Sequence, residues 1–170
     1  MSKQELRALA LAKLAVTAED ICWDIGAGSG SVSVELALQT KEVWAVEREA
    51  EALTLAERNK ERFRAWNLHL LPGEAPEALD AFPKPDAVFV GGSGGRLKEI
   101  LCAIHAANPA ARVCVSAIAL ETLEAATREL EALGYETEIT QLSVSRSRKA
   151  GKLHMMMAQN AVWLITGRQR

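Results

Sequence analysis

The spacing of apolar residues along the chain switches repeatedly between two patterns. Short, mostly apolar runs are typical of buried strands, and between them apolar residues recur every three or four positions, as in amphipathic helices. The strand pattern occurs at 21–25, 43–46, 68–71, 87–90 and 113–117, and the helical pattern at 3–15, 31–38, 50–63, 76–79, 97–106 and 123–133. This alternation predicts a parallel sheet whose strands are connected by helices.

The last part of the chain breaks this alternation. Residues 135–145 alternate as a long strand, and 161–166 form a final apolar strand. The segment 146–160 between them shows no periodicity, so we predict a loop. Because this loop is too short for a helical crossover, the two strands should pair antiparallel. We therefore predict an α/β protein with a Rossmann-like, seven-stranded mixed sheet, one antiparallel strand and helices on both faces, in a single domain over 1–170.

Composition narrows the class of protein without identifying it. The 170 residues are 49% hydrophobic and 25% charged, as in an ordinary globular domain, and the formal net charge is −2. Because there is no excess of positive charge, we expect no nucleic-acid partner. The three cysteines form no CxxC pair, which argues against a metal site. The N-terminal segment is charged and periodic and predicts neither a signal peptide nor a membrane span, so we expect a cytoplasmic protein.

A glycine-rich turn, DIGAGSG, begins where the first predicted strand ends. Ligands of open parallel sheets bind beyond the carboxyl ends of the strands, and glycine lets the backbone approach a ligand closely. The spacing of Gly26, Gly28 and Gly30 is GxGxG, and Ser31 stands where the dinucleotide fingerprint GxGxxG needs its last glycine. Glu47 ends the second predicted strand, where its carboxylate can accept hydrogen bonds from both hydroxyls of a ribose.

An acid followed by GxGxG, with a second acid at the end of the next strand, resembles class I S-adenosylmethionine-dependent methyltransferases. The resemblance implies S-adenosylmethionine as the cofactor. It assigns the cofactor to Asp24, Gly26, Ala27, Gly28, Ser29, Gly30 and Glu47, with Glu74 and Ala75 beside the adenine. For Asp24 a structural role at the strand end, bonding nearby backbone amides, remains the alternative.

A second glycine-rich turn, VGGSGG, follows the fourth predicted strand. Many methyltransferases of amino groups or nucleic acids carry an Asn/Asp-Pro-Pro-aromatic motif at this place. The segments that carry a narrower resemblance are GGSGG, ALETL at 119–123, SVSRSR at 143–148 and SKQELRALALAKL at 2–14. They resemble the decarboxylating corrin-ring methyltransferases of cobalamin biosynthesis, the CbiT family, which also forms the C-terminal half of CobL. The resemblance implies methylation of carbon 15 of a precorrin or cobalt-precorrin ring and loss of carbon dioxide from the acetate on carbon 12.

This narrower resemblance also implies site residues. It assigns the substrate to Gly91, Gly92, Ser93, Gly94, Gly95, Arg146 and Arg148, with solvated loop charges as the alternative for the two arginines. Ser2 stands where the family commonly has a cofactor-contacting threonine. Ser93 and Glu121 are candidates for a polar catalytic role, with helix capping or a structural hydrogen bond as the alternative. HMMM at 154–157 fits either an apolar ring face or a hairpin buried at a subunit contact. The family further implies a homotetramer, and a partner methyltransferase for the other ring position is compatible with it.

Two other functions remain open at this point. One is a methyltransferase acting on another small molecule or on an RNA base. The other is a non-catalytic S-adenosylmethionine-binding module on the same fold. Absence of cofactor binding would exclude every catalytic hypothesis, and a mass change in a corrin substrate would separate the corrin-ring methyltransferase from these two alternatives.

Overall fold

The structure, a computed structural model, describes residues 4–169, so that Ser2 lies outside the described residues. Over this range no helix is both long and apolar enough to cross a bilayer. In chain order the elements are α1 (Gln4–Leu14), β1 (Ile21–Ile25), α2 (Ser31–Ala37), β2 (Glu42–Glu47), α3 (Ala50–Phe63), β3 (Leu68–Pro72), a 3-10 helix (Glu77–Ala81), β4 (Ala87–Val90), α4 (Leu97–Ala107), β5 (Arg112–Ala117), α5 (Leu120–Ala132), β6 (Glu136–Leu142), β7 (Ser145–Ala150), β8 (Leu153–Ala158) and β9 (Val162–Arg168).

Seven of these strands form one mixed sheet. Their order is β3-β2-β1-β4-β5-β9-β6. The five strands from β3 to β5 are parallel to one another, and β9 lies antiparallel to both of its neighbours. The predicted mixed sheet with one antiparallel strand is confirmed, and each of the first five strands begins and ends within one residue of its predicted bounds.

Helices cover both faces of the sheet, which explains why the central strands are nearly uniform in apolar character. All four residues of β4 are buried. On one face α1 and α2 pack against Phe89, and on the other α4 and α5 pack against Val88 and Val90. Full burial of a side chain such as Leu or Phe stabilises a fold by about 1.5–3 kcal/mol, far more than an exposed ion pair. These two layers therefore fix the position of the strand ends.

Both glycine-rich turns lie at the point where the strand order reverses. From β1 the chain builds outward to β2 and β3 on one side, and from β4 to β5 on the other. The first turn follows β1 and the second follows β4, and these two strands are direct neighbours in the sheet. Open α/β sheets bind ligands beyond the carboxyl ends of the strands at such a switch point.

The prediction of an irregular loop at 146–160 was wrong. Strands β7 and β8 form an antiparallel hairpin with its own two-stranded sheet, turning at Gly151, whose φ is +62°. Every residue of both strands is exposed in this chain. Because neither face is buried against the protein's own core, the sequence lacks the alternation that marks a half-buried strand.

Candidate cofactor and acceptor site

The first glycine turn needs glycine for its backbone. Gly26, Gly28 and Gly30 have φ values of +70°, +57° and +71°, in the left-handed region that side chains disfavour. Gly30 also packs against α3, because a Cβ there would lie 2.9 Å from the Cβ of Ala56. The turn thus combines left-handed backbone with close packing against a helix. At Gly26 and Gly30, neighbouring atoms also leave no room for a side chain.

Glu47 holds the first turn in place and keeps capacity for a ligand. Its side chain is buried at 9% exposure. One carboxylate oxygen accepts the backbone N–H of Gly28 at 2.7 Å, and the other accepts the backbone N–H of Glu49 at 2.9 Å. Because an ionised carboxylate offers about four acceptor positions, each oxygen retains one for a further donor.

Asp24 lies beneath the turn and does not line the cleft described below. It is 1% exposed, and its Oδ2 accepts a hydrogen bond from the Ser33 hydroxyl. Among the described residues Oδ1 has no hydrogen-bond partner. Burial raises the pKa of Asp24 to about 6, the charge of Glu47 adds to the rise, and the hydrogen bonds from Ser33 oppose it. This placement fits the structural alternative for Asp24.

The other predicted residues of the first turn lie behind its ligand-facing edge. The Ala27 N–H donates to the carbonyl of Val46 at 3.1 Å. The carbonyl of Ser29 accepts the side-chain amide of Asn59, on α3, at 2.9 Å. Of the turn itself, Gly26 is the residue that lines the neighbouring cleft. Asn59 is a positioning residue that no feature of the sequence had indicated.

An open cleft of about 220 Å³ lies beyond the carboxyl ends of β1 to β4. Its lining includes Gly26, Glu47, Arg48, Glu74, Ala75 and Gly92, and Ile25, Val46 and Ile100 give it an apolar part. Arg48 and Glu74 form an ion pair of 3.1 Å at its wall, with about half of each side chain exposed. An apolar floor beside a carboxylate with spare acceptor positions fits the nucleoside of S-adenosylmethionine.

The second glycine turn touches the first. The N–H groups of Gly91 and Gly92 both donate to the carbonyl of Ile25, at 2.9 and 3.3 Å. A Cβ on Gly26 would lie 2.6–2.9 Å from backbone atoms of Gly92. A Cβ on Gly92 itself would meet nothing within 4 Å, and its backbone is outside the left-handed region. At Gly92 it is therefore free space, not backbone geometry, that glycine preserves.

The remaining glycines of the second turn serve different purposes. Gly94 has a φ of +57°, and a Cβ there would lie 3.0 Å from a carboxylate oxygen of Glu74 and 3.2 Å from Arg48. The turn thus sits against the ion pair at the wall of the cleft. Gly95 has a φ of +84° and leads into α4. Arg96, the next residue, forms a two-bond ion pair with Glu77 of the 3-10 helix, at 2.8 and 2.7 Å.

Two further cavities open on the other side of the second turn. The small cavity, of about 270 Å³, is lined by residues that include Gly92, Ser93, Ser116, Ile118 and Thr122. The large cavity, of about 530 Å³, is lined by residues that include Leu6, Gly91, Ser116, Ile118, Gln159 and Val162. Gly92 and Ser93 border both the cleft and the small cavity, and Gly91, Ser116 and Ile118 border both cavities. The cleft, the small cavity and the large cavity therefore follow one another, and each shares lining residues with the next.

The two candidates for a polar catalytic role are placed differently. Ser93 lies at the junction of the cleft and the small cavity. Glu121 is exposed in the first turn of α5 and does not line either space, whereas the next residue, Thr122, does. The sequence did contain a signal for Ser116 and Ile118, because they lie where β5 ends and parallel strands end at one rim.

The two predicted substrate anchors lie on the exposed hairpin. Arg146 binds both carboxylate oxygens of Glu5, on α1, at 2.7 and 2.6 Å. Arg148 is exposed and stands opposite Met155 in the β7–β8 register. Neither arginine lines the cleft or the two cavities. Within one copy of the chain, these two arginines and the cavities are therefore separate features.

Comparison with known proteins identifies the family to which this chain is similar. A model of the precorrin methyltransferase domain matches residues 1–167. The cobalt-precorrin-6B C(15)-methyltransferase (decarboxylating) of Salmonella typhimurium is 39% identical over 169 residues, which cover 97% of this chain and 87% of that protein. The crystal structure of precorrin 8w decarboxylase from Methanobacterium thermoautotrophicum superposes with a TM-score of 0.95 at 38% identity, covering 98% of this chain and 91% of that one.

A more distant match concerns the fold alone. A SAM-dependent O-methyltransferase of Thermotoga maritima superposes with a TM-score of 0.81 at 16% identity, covering all of this chain and 67% of that one. The two glycine turns at the switch point thus stand on a fold shared with SAM-dependent methyltransferases. On the match along nearly its whole length, this chain belongs to the precorrin methyltransferase family, and it is a methyltransferase.

Proposed function

We propose that this chain transfers a methyl group from S-adenosylmethionine to carbon 15 of a precorrin or cobalt-precorrin ring and removes carbon dioxide from the acetate on carbon 12. The observation that carries the proposal is the series of spaces that meet at Gly92 and Ser93. A cleft that fits the cofactor opens directly onto a cavity for an acceptor. The names of the relatives supply the identity of that acceptor.

In this proposal the protein acts mainly by positioning. When bound, S-adenosylmethionine supplies an electrophilic methyl group. Glu47 accepts hydrogen bonds from the ribose hydroxyls while its oxygens hold the backbone N–H groups of Gly28 and Glu49. The contact between Gly26 and Gly92 keeps the cleft and the small cavity side by side. Holding two reactants in the productive geometry can supply a large part of a rate enhancement.

Ser93 is the polar side chain that we place beside the reacting groups. It borders the cleft and the small cavity, so that a hydroxyl there reaches both ligands. We assign Ser93 an orienting hydrogen bond to the acceptor ring. Glu121 receives no role in this scheme, because it is exposed outside both spaces. Thr122, its neighbour on α5, is better placed to contact the acceptor.

The experiment is a sequence of two measurements on the whole chain. Calorimetric titration with S-adenosylmethionine tests the cofactor, and incubation with cobalt-precorrin-6B followed by mass spectrometry tests the reaction. We expect binding, and a product heavier by one methyl group and lighter by one carbon dioxide. Absence of cofactor binding at millimolar concentration contradicts the proposal outright. Binding without a mass change would assign the protein another acceptor.

We also propose that the hairpin assembles the chain into a homo-oligomer, a tetramer by family resemblance. Leu153 and Met155–Met157 are between 47% and 71% exposed on an isolated two-stranded sheet. Such a ribbon is marginally stable in water and buries its apolar side chains when it pairs with a copy of itself. Light scattering should give a tetramer for the native chain and a smaller species for Met155→Ser/Met157→Ser. A tetramer in both proteins contradicts this role.

Two broader assignments complete the proposal. All of the elements from α1 to β9 except the hairpin build or cover one sheet, which supports a single catalytic domain. The cysteines of the chain are free, and Cys22 and Cys114 are buried small apolar side chains, as in proteins of a reducing compartment. We therefore place its work in the cytoplasm. A partner enzyme for the other ring position remains compatible with this assignment.

A further inference from the structure

The large cavity differs chemically from the rest of the ligand-binding rim. Six of its lining residues are apolar: Leu6, Ile118, Leu142, Val144, Ala158 and Val162. Its polar side chains are neutral, belonging to Ser116, Gln159 and Asn160, and none of the described residues that line it carries a charge. The cleft, in contrast, is lined by Glu47, Arg48, Glu49 and Glu74.

Gln159 brings unused hydrogen-bonding capacity to this cavity. Its backbone N–H donates to the carbonyl of Val144 at 2.9 Å, which fixes the residue at the base of the hairpin. Its side-chain Oε1 is buried, and within residues 4–169 the side-chain amide makes no hydrogen bond. A carboxamide offers two N–H donors and an acceptor, and leaving such a group unpaired in a buried place is costly. Because Oε1 accepts and a carboxylate also only accepts, the part of the amide available to a carboxylate ligand is its nitrogen, which has no partner among the described residues.

We infer that the large cavity holds the edge of the ring substrate whose carboxymethyl arm is lost as carbon dioxide, with the Gln159 amide donating a hydrogen bond to that carboxylate. This inference rests on the proposed function. The cavity is reached from the small cavity past Gly91, Ser116 and Ile118, so an arm beside the methylated carbon extends into it.

Charge explains why this arm, among the many carboxylates of such a ring, is the one removed. In the proposed step the bond between the methylene carbon and the carboxylate carbon breaks, and its electron pair enters the conjugated ring. Carbon dioxide leaves, the electron pair returns from the ring to the methylene carbon as that carbon takes a proton from water, and the arm becomes a methyl group. An ionised carboxylate is destabilised in apolar surroundings and neutral carbon dioxide is not, so a neutral cavity favours the step. A nearby cation would stabilise the carboxylate and oppose it.

The first test places a cation in the cavity. Val144→Lys is compared with Ser143→Lys, whose side chain is exposed next to it and does not line the cavity. Each variant receives cobalt-precorrin-6B and S-adenosylmethionine for a single turnover, and carbon dioxide is counted per methyl transferred. We expect one carbon dioxide per methyl group for the native chain and for Ser143→Lys. For Val144→Lys we expect roughly tenfold less carbon dioxide per methyl group, with a product that retains its carboxylate. The inference is overturned if Val144→Lys releases one carbon dioxide per methyl group, as the native chain does, or if it loses both steps together.

The second test concerns Gln159 as a positioning residue. Gln159→Leu keeps the size of the side chain and removes its amide. We expect the KM for the ring substrate to rise roughly tenfold. Affinity for the product, which lacks this carboxylate, should stay at the native value. If substrate and product weaken equally, the residue has only a structural role and the inference fails. Failure of the proposed function is distinct, because the native chain would then transfer no methyl group to the ring.

Discussion

The two glycine turns have similar letters, GAGSG and GGSGG, but glycine does not serve the same physical purpose at every position in them. In the first turn all three glycines have left-handed backbone, and Gly26 and Gly30 are pressed against neighbouring atoms. In the second turn Gly91 and Gly92 have ordinary backbone, and the direction of a Cβ on Gly92 is empty. The first turn needs glycine for its backbone at all three positions, whereas the second turn needs it in this way only at Gly94 and Gly95 and keeps free space at Gly92.

This difference teaches that the two turns should respond differently to the same kind of substitution. Side chains in the first turn disturb the backbone itself and with it the cofactor cleft. A side chain at Gly92 leaves the fold intact and fills space that lies open to a ligand. Substitutions that separate fold, cofactor affinity and turnover therefore test whether the comparison holds.

The largest effect is expected for Gly26→Ala. Its methyl group would lie 2.6–2.9 Å from the backbone of Gly92, so both turns must move. Left-handed strain and overpacking together should lower the free energy of unfolding by about 2–5 kcal/mol. Cofactor binding and turnover should be lost with it. Urea unfolding and calorimetric titration measure these changes.

Gly28→Ala is the matched control for this substitution. Gly28 has nearly the same φ, +57°, but a Cβ there meets nothing within 4 Å. Only the left-handed strain, about 1–2 kcal/mol, should remain. If the two variants unfold at the same denaturant concentration, the contact between the turns has no energetic weight.

Gly92→Val should give the next largest effect, on turnover alone. Its side chain extends into free space between the cleft and the small cavity, where it displaces the acceptor. We expect kcat/KM to fall about 100-fold or more, because small misplacements of a reactant have effects of this size. Cofactor affinity should stay within about threefold, as for a substitution without fold damage. A parallel loss of cofactor affinity would assign the free space to the cofactor.

Glu47→Ala should weaken cofactor binding without abolishing the fold. It removes the acceptor proposed for the ribose hydroxyls, each hydrogen bond contributing about 1.5–3 kcal/mol at most. It also releases the N–H of Gly28, so the first turn loosens. Calorimetry should show at least about tenfold weaker binding.

Glu74→Ala serves as the control on the same wall of the cleft. Glu74 is about half exposed and paired with Arg48, and it is predicted to lie beside the adenine. Cofactor affinity should therefore change by less than about fivefold. An equal loss in Glu47→Ala and Glu74→Ala would mean that the ribose is held elsewhere.

The last prediction concerns pH and the acid beneath the first turn. The pKa of Asp24 is about 6 in the folded chain, above its ordinary value of 3.8, so the folded state retains a proton that the unfolded state releases. Stability should fall as the pH rises from about 4 to 6, by at most about 3 kcal/mol, and stay level above that range. Asp24→Asn should lack this fall. Urea unfolding at several pH values compares the two proteins, and identical pH profiles would contradict the assignment.

The sequence predicted the parallel half of the sheet well because physical constraints there are local. Buried parallel strands are apolar on both faces, so β1 and β4 stand out along the chain. The hairpin of β7 and β8 could not be found in this way, since its side chains face no part of the chain's own core. Its residues are exposed in this chain, and a sequence pattern reports burial only where burial occurs.

For the site, the sequence located turns better than individual side chains. The strand ends indicated Gly26, Glu47 and Gly92, all of which line the cleft. Asp24 and Ser29 belong to the same motif, yet their carboxylate and carbonyl are turned toward Ser33 and Asn59. Gln159 reaches its cavity only because the hairpin folds back toward β9, a placement that no local pattern encodes.

The contact between Gly26 and Gly92 also bears on how the enzyme could acquire new acceptors. Main-chain atoms in van der Waals contact set the separation of the two ligand spaces. Substitutions at Ile118, Thr122 or Gln159 can reshape the acceptor side without altering that separation. Protein design or natural selection could therefore change the methyl acceptor, while the backbone keeps the distance between the cofactor and the acceptor the same.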